Sequence, residues 1–479
     1  MISFICALAI LIGGYLTYGK WVERQFGADP DRPTPAITHN DGVDFVPLSW
    51  KKIFLIQFLN IAGLGPIFGA ILGALYGPIA FLWIAFGCIL GGGVHDYFSG
   101  MLSIRHEGKS IPEIVGHYMG DNTRLVIRGF TVVLLLLVGV VFMVGPAELL
   151  ASLGMGGVFA KSGFWLGVIL FYYFIATILP IDKVIARIYP VFGITLLIMA
   201  FGVGGMMLFN DLPIPEITAS HLHPDNLPAW PMLFVTIACG AISGFHATQS
   251  PLMSRCLPTE AYGRRVFFGA MVAEGIVALI WAAAAMSFFP NGIGGLAETL
   301  NKGGAGLVVN EISMGLLGSF GGLLAILGVI ACPITSGDTA FRSIRLIFAD
   351  AFKLNQTSIL SRLLLATPVF GFGLALAFVD FNVIWRYFAF SNQALATIVL
   401  WTSAIFMVHH GKRHWIASLP ATFMTAVCAT YLLIAREGLN LPTSIGYPLG
   451  ILLALGCLVW FSFSSQKEES PTSSSSPSV

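Results

Sequence analysis

The chain has 479 residues, 56% of them hydrophobic and only 10% charged, with a formal net charge of +1, whereas soluble domains carry about 25% charged residues. So few charges cannot cover a water-soluble globule, and the absence of a Lys/Arg cluster excludes a nucleic-acid-binding face. The composition predicts an all-α membrane protein: apolar windows recur from Ile2 to Phe463 at the roughly 20-residue length that crosses a hydrocarbon core, without the alternation of a membrane barrel.

In chain order, charged and turn-forming breaks divide the sequence into about 13 predicted transmembrane helices. The first runs from Ile2 to Gly19; Lys20 and Arg24 follow rather than precede it, the pattern of a retained span rather than a cleaved signal. The second and third share the stretch from Ile53 to Gly100, parted by Gly77-Pro78. Gly129 to Leu150, Phe164 to Ile181 and Tyr189 to Phe209 complete the first half. The second half reads as Trp230 to Met253, Val266 to Phe289, Leu307 to Cys332, Leu363 to Val379 and Tyr387 to Val408, with Trp415 to Ile434 and Gly446 to Phe463 after it. The Ser/Pro/Glu-rich segment 465–479 buries no apolar surface and is expected to be a disordered tail. The seven cysteines are scattered singly, without metal spacing, and read as packing residues.

Nearly all of the 25 Lys and Arg residues fall in alternate inter-span segments. Positive charge accumulates in cytoplasmic loops, so the chain is expected to be multi-pass in an inner (plasma) membrane, with its N-terminus outside and its C-terminus cytoplasmic.

Setting aside residues 1–50, an N-terminal span and loop, and 413–464, two C-terminal spans, leaves two groups of five: 51–210 and 211–412. Five is odd, so two such units in series have opposite orientation, the arrangement of inverted-repeat transporters. Each opens on an interrupted helix. The first breaks at Gly63-Leu64-Gly65-Pro66 and the second across Gly240 to Pro251, which includes Ser243, Gly244, His246, Thr248, Gln249 and Ser250. Proline lacks an N–H and its ring clashes with the preceding turn, so such clusters free backbone groups that lipid cannot satisfy. Glycine and proline also serve tight packing and kinks in membrane helices. Two breaks at matching positions, one carrying polar side chains at membrane depth, favour a substrate site.

Ionisable groups in hydrocarbon are costly and invite a functional role. His246, inside the second break, can donate to a carboxylate or carry a proton; a structural hydrogen bond is the plainer alternative. Glu274, near the middle of its span, is a second proton-coupling candidate. His95 and Asp96 are read as closing the third span on the cytoplasmic side, as a gate, a proton exit or a structural cap. Thr335, Ser336, Asp338 and Thr339 offer oxygen ligands for a sodium ion; capping of a helix from Ala340 to Phe352 is the favoured reading. Asn382, Asn392 and Gln393 are read as interface anchors.

The stretches Asp41 to Pro47, Ala62 to Pro66, Gly91 to Gly120, Ser243 to Pro251, Thr335 to Arg342, and Trp385-Arg386-Tyr387 with Ser391-Asn392-Gln393 resemble the carbon starvation protein A (CstA) family of bacterial membrane transporters. The resemblance implies a core like that of the amino acid/polyamine/organocation superfamily, with its LeuT-like fold. It further implies uptake of peptides or pyruvate under nutrient limitation, driven by protons. The expected partners are a small-molecule substrate and the lipid bilayer, with no cofactor and H+ as coupling ion. A sodium-coupled amino acid or peptide transporter and a passive channel are the rival readings. No nucleophile elbow, metal triad or catalytic carboxylate pair suggests an enzyme, and oligomeric state is not legible.

Overall fold

The computed structural model describes all residues except 43–44, 154–155, 179–180, 219–221, 353, 355–358 and 470–479, and leaves out the side chains of 177–178, 181–191, 320, 324–325, 346, 350–351 and 465–469. Among the described residues every regular element is a helix. The first, α1 (Ile2–Phe26), precedes a bent pair, α2 (Trp50–Ile61) and α3 (Gly65–Tyr76), whose axes differ by 55°. Then come α4 (Ile79–Arg105), the short α5 (Ile111–Met119), α6 (Asp121–Ser152), α7 (Ser162–Ile178) and α8 (Ile181–Phe209). The second half opens on another interrupted pair, α9 (Ala229–Thr236) and α10 (Gly244–Ser254). It continues with α11 (Glu260–Ser287), α12 (Ile293–Phe352), α13 (Ile359–Leu376), α14 (Phe381–His409), α15 (Trp415–Ile434) and α16 (Thr443–Glu469).

Ten described helical stretches are long and apolar enough to cross a bilayer, or eleven when α2 and α3 count as one span. The apolar part of α7 is shorter, and α9 and α10 are separated by the unwound residues 237–243. Burial sorts the helices into layers. The most apolar windows of α4, α11 and α14 are 78%, 83% and 78% buried, whereas those of α1, α13 and α16 are only 22% buried. Apolar side chains such as Ile5, Leu16, Phe372 and Trp460 are exposed on the outer helices, where lipid rather than water is the solvent. The inner group packs around the two breaks: α11 lies against α2, α3 and α4, and α10 against α2, α4 and α14.

Three expectations are corrected. His95 and Asp96 do not close a span, because α4 continues to Arg105; both are fully buried in its interior, and the later hydroxyls of Ser99 and Ser103 bond to the carbonyls of His95 and Lys109. Thr335 to Thr339 do not cap a helix starting at Ala340. The chain breaks earlier, at Gly318 with φ 68°, and helix then runs through Pro333 to Phe352. The hydroxyls of Thr335, Ser336 and Thr339 bond back to carbonyls of their own helix, a pattern that keeps hydroxyl residues inside membrane helices. Finally, α16 extends to Glu469, five residues into the expected tail, and 470–479 lie outside the described residues.

The breaks themselves are local products of sequence. Residue Ala62 leaves helical geometry (φ −81°, ψ 45°) and α3 restarts at Gly65-Pro66, where proline's missing N–H costs nothing in a first turn. Gly65 is also required by close approach: a Cβ there would lie 2.3 Å from Cβ of Cys239 in the unwound part of the second break. Gly65→Ala should therefore destabilise the protein by about 1–3 kcal/mol through overpacking, and Cys239→Gly in the same chain should restore most of the loss. Thermal unfolding in detergent measures both; an unaltered midpoint for Gly65→Ala alone would contradict this packing.

Candidate functional site

Freed backbone groups determine what surrounds the two breaks. In α2 the last carbonyls have no helical partner, and α12 supplies donors: Cys332 Sγ to the oxygens of Leu59 (3.2 Å) and Ala62 (3.0 Å), and Ser336 Oγ to Asn60 (3.3 Å). At the second break, Trp83 Nε1 donates to Ile237 O (2.9 Å) and Gln393 Nε2 to Phe234 O (2.7 Å). Ser243 occupies the N-cap position of α10 but does not cap it with its own side chain. Its hydroxyl donates to Asn392 Oδ1 (2.8 Å), which also accepts the Phe245 N–H (2.9 Å). Asn392 and Gln393 are thus supports of the break rather than interface anchors, which corrects their expected role.

The second break sits directly on α4. A Cβ on Gly92 would fall 2.2 Å from the Ala241 carbonyl oxygen, so a bare glycine lets the helix touch the unwound backbone. Asp96, one turn on, then meets His246 in the first turn of α10. Four fully buried ionisable side chains line up: His95 Nδ1 to Asp96 Oδ1 at 2.7 Å, Asp96 Oδ2 to His246 Nδ1 at 3.0 Å, and His246 Nε2 to Glu274 Oε2 at 3.3 Å. The last pair is within ion-pair reach but off hydrogen-bond alignment, so His246 Nε2 and both Glu274 oxygens lack a hydrogen bond, as does His95 Nε2. One imidazole therefore stands between two carboxylates carried by two other helices.

Around this row lie most of the residues singled out from sequence. Ser250 Oγ donates to the His246 carbonyl (3.0 Å) and faces Gln57 Nε2 of α2 at 3.5 Å. Gln249 Oε1 accepts from Thr339 of α12 at 3.3 Å, while Thr248 bonds only within its own turn. Pro66 lies beside Gly240, Gly63 packs against Phe142, and Gly244 against Asn392 and Leu395. Thr335 and Asp338 point elsewhere: Thr335 to its own helix, and Asp338 to Arg342, with Oδ2 3.6 Å from Nη2. Among the described residues no group of three His, Cys, Asp or Glu side chains is placed to hold a metal ion.

Sequence reading missed Gln57 and Asn60, both buried, each with its side-chain carbonyl oxygen unpartnered; their polarity inside an apolar helix was the available signal. The centre is closed. Gln57, Asn60, His95, Asp96, Ser243, His246, Gln249, Ser250, Glu274 and Asn392 are all buried, and cavities of about 570 and 670 Å³ lie outside it, lined mainly by apolar side chains such as Leu82, Phe86 and Phe423, and Ile12, Phe54 and Ile276. Asn392→Leu should strand the Phe245 amide and the Ser243 hydroxyl and cost about 1–3 kcal/mol. Hydrogen exchange at residues 243–246 should rise with it; unchanged protection there would rule out the support assigned to Asn392.

The sequence matches the model of one protein family, Carbon starvation protein CstA, over residues 1–160, 151–293 and 291–431. An uncharacterized membrane protein of Haemophilus influenzae is 43% identical over 341 residues, spanning 61% of this chain and 92% of that protein. The peptide transporter CstA of Escherichia coli is 26% identical over 553 residues, 88% of this chain and 79% of its own length. The pyruvate/proton symporter BtsT of the same organism is 28% identical over 369 residues, 63% of this chain and 51% of its own length. In overall fold the chain resembles the crystal structure of a manganese transporter mutant from Eremococcus coleocola, with a TM-score of 0.55 at 11% identity, covering 88% of this chain and 97% of that one.

Proposed function

The chain belongs to the carbon starvation protein CstA family, and we propose that it is a secondary active transporter importing a peptide or a pyruvate-like carboxylate by proton symport. The observation that carries this reading is the buried imidazole of His246, held between Asp96 and Glu274 at the unwound segment. Family and relatives are transporters, not enzymes, and two relatives are named for peptides and for pyruvate with protons.

Physical chemistry supports the coupling. An imidazole between two carboxylates can take a proton from one and pass it to the other by exchanging ring nitrogens. His95, Asp96, His246 and Glu274 extend that row across α4, α10 and α11. A movement of α10 that separates His246 from its partners would leave buried charges uncompensated, which is costly, so the position of α10 and the protonation of the row are tied together. Substrate entering between the breaks would displace α10, and the freed amides and carbonyls of Gly63 to Pro66 and Ser243 to Ser250 would hold it. Its carboxylate goes to the half-helix amides, because both nitrogens of His246 already face acids.

The same reading places the two five-span units, 51–210 and 211–412, as inverted repeats rocking about the closed centre, a LeuT-like core of ten spans out of about 13. Matching interrupted helices at the start of each unit favour that division. The two ends of the molecule also sort by charge. Met1 lies against Ile214 and Glu216 in the segment 210–229, which lacks Lys and Arg. At the other end Arg105 binds Glu260 and the Gly27 carbonyl, Arg264 binds Glu23, and Lys412 donates to the Phe26 carbonyl. The Lys/Arg-rich end is assigned to the cytoplasm. Proton coupling is favoured over sodium because Asp338, the acid of the oxygen-rich stretch in α12, is beside Arg342. No cofactor is required.

Proteoliposomes loaded against a pH gradient and supplied with pyruvate or dialanine test the reading. Wild type should accumulate one of them; His246→Ala and Glu274→Gln should each lower gradient-driven accumulation roughly tenfold or more, within the range of coupling energies between sites, while Glu274→Gln still exchanges substrate at equal pH. Wild-type accumulation by Glu274→Gln would refute its role. Uptake driven by sodium at symmetric pH would replace the coupling ion, and flux indifferent to any gradient would make the protein a channel.

A further inference from the structure

Two arginines in α12 are unexplained by the proton row. Arg342 and Arg345 are only 9% and 5% exposed, although they lie in the apolar stretch Gly321–Ala349. With Asp338 they sit at positions i, i+4 and i+7, one stripe of the helix. Arg342 donates to the Ala176 carbonyl of α7 (3.0 Å) and has Asp338 3.6 Å away. Its Nε has no partner, and neither Nε nor Nη1 of Arg345 has one. Among the described residues the charged groups bearing on Arg345 are Arg342, Arg362 and Asp338, and Arg362 has an interaction of its own.

Among the described residues, two buried guanidiniums with one carboxylate leave a positive charge uncompensated, and stranded N–H donors inside protein are costly. An oxyanion would remove both costs, since the planar guanidinium fork matches a carboxylate or phosphate. The place also fits a transport path. Thr339, next to Asp338, bonds Gln249 of α10 at the break, and Arg345 lies six residues further along α12, about 9 Å at a helical rise of 1.5 Å per residue, toward the Lys/Arg-rich end. We propose that Arg345, with Arg342, is an anion-binding station that takes the carboxylate of the transported molecule between the closed centre and the cytoplasm. The proposal rests on the reading that the cargo bears a carboxylate. A lipid phosphate headgroup offers the same chemistry from another source.

The test uses the full chain in phosphatidylcholine and in phosphatidylglycerol-rich proteoliposomes, with wild type, Arg345→Gln and Arg345→Lys, and with pyruvate and inorganic phosphate as probes. Pyruvate exchange is measured from each face, and thermal unfolding with and without each probe. Losing a charge-assisted hydrogen bond should raise the half-saturating pyruvate concentration at the cytoplasmic face about tenfold or more in Arg345→Gln. That change should appear in both lipids and leave the opposite face unaltered, with Arg345→Lys intermediate. The stabilisation of wild type by pyruvate should disappear in Arg345→Gln. An effect confined to phosphatidylglycerol would assign the station to a headgroup and overturn the proposal. So would equal changes at both faces, or none. If wild type exchanges no pyruvate, pyruvate as the cargo fails by itself; probe-induced stabilisation lost in Arg345→Gln then still upholds an anion site, and stabilisation kept in it refutes one.

Discussion

A backbone amide or carbonyl cannot be left open in hydrocarbon, and the inner structure of this protein follows from that constraint at two places. Where α2 gives way to α3 and α9 to α10, helical hydrogen bonding stops, and side chains from distant helices take over. Cys332 and Ser336 serve the first break; Trp83, Asn392 and Gln393 serve the second. These five residues come from three helices, α4, α12 and α14. The breaks are set locally by sequence, and the tertiary fold satisfies the backbone groups they free.

Charge is handled in the same way. An isolated histidine or carboxylate in the membrane interior would be expensive, but His95, Asp96, His246 and Glu274 offset one another across three helices. The unwound segment makes this arrangement reachable, since Gly92 allows α4 to touch the Ala241 carbonyl and brings Asp96 level with the first turn of α10. Polar backbone and ionisable side chains are thus concentrated in one closed centre, while α1, α13 and α16 present apolar surface to lipid. A transporter needs that division: a rigid, lipid-compatible exterior and a polar interior whose pieces belong to separately movable helices.

Arg342 and Arg345 show the same economy left incomplete. Their stripe of α12 begins beside the Thr339–Gln249 contact and leads away from it, with one carboxylate for two guanidiniums among the described residues. Elsewhere among the buried polar groups at the centre, charges of opposite sign stand close; here they do not balance, and the imbalance has the sign that suits an anionic cargo.

Much of this was legible in the chain before folding. Low charge and apolar windows dictate a membrane bundle, because no other solvent tolerates that composition. Gly63, Gly65 and Pro66, and the run from Gly240 to Pro251, mark both breaks, because glycine and proline act locally through backbone geometry. His246, Glu274, His95 and Asp96 stand out one by one through their cost in lipid. Their assembly was not legible: that His246 bridges Asp96 and Glu274, that Asn392 and Gln393 hold a break 147 and 159 residues earlier in the chain rather than anchor an interface, and that Thr335 to Thr339 continue a helix instead of starting one all depend on which helices are neighbours. Solvent preference and backbone stiffness are properties of residues and their nearest sequence, so the chain alone determined the membrane class and the places of the two central breaks. Partnership between side chains depends on helix packing across long stretches of sequence, so only the tertiary structure decided what the breaks and buried charges do together.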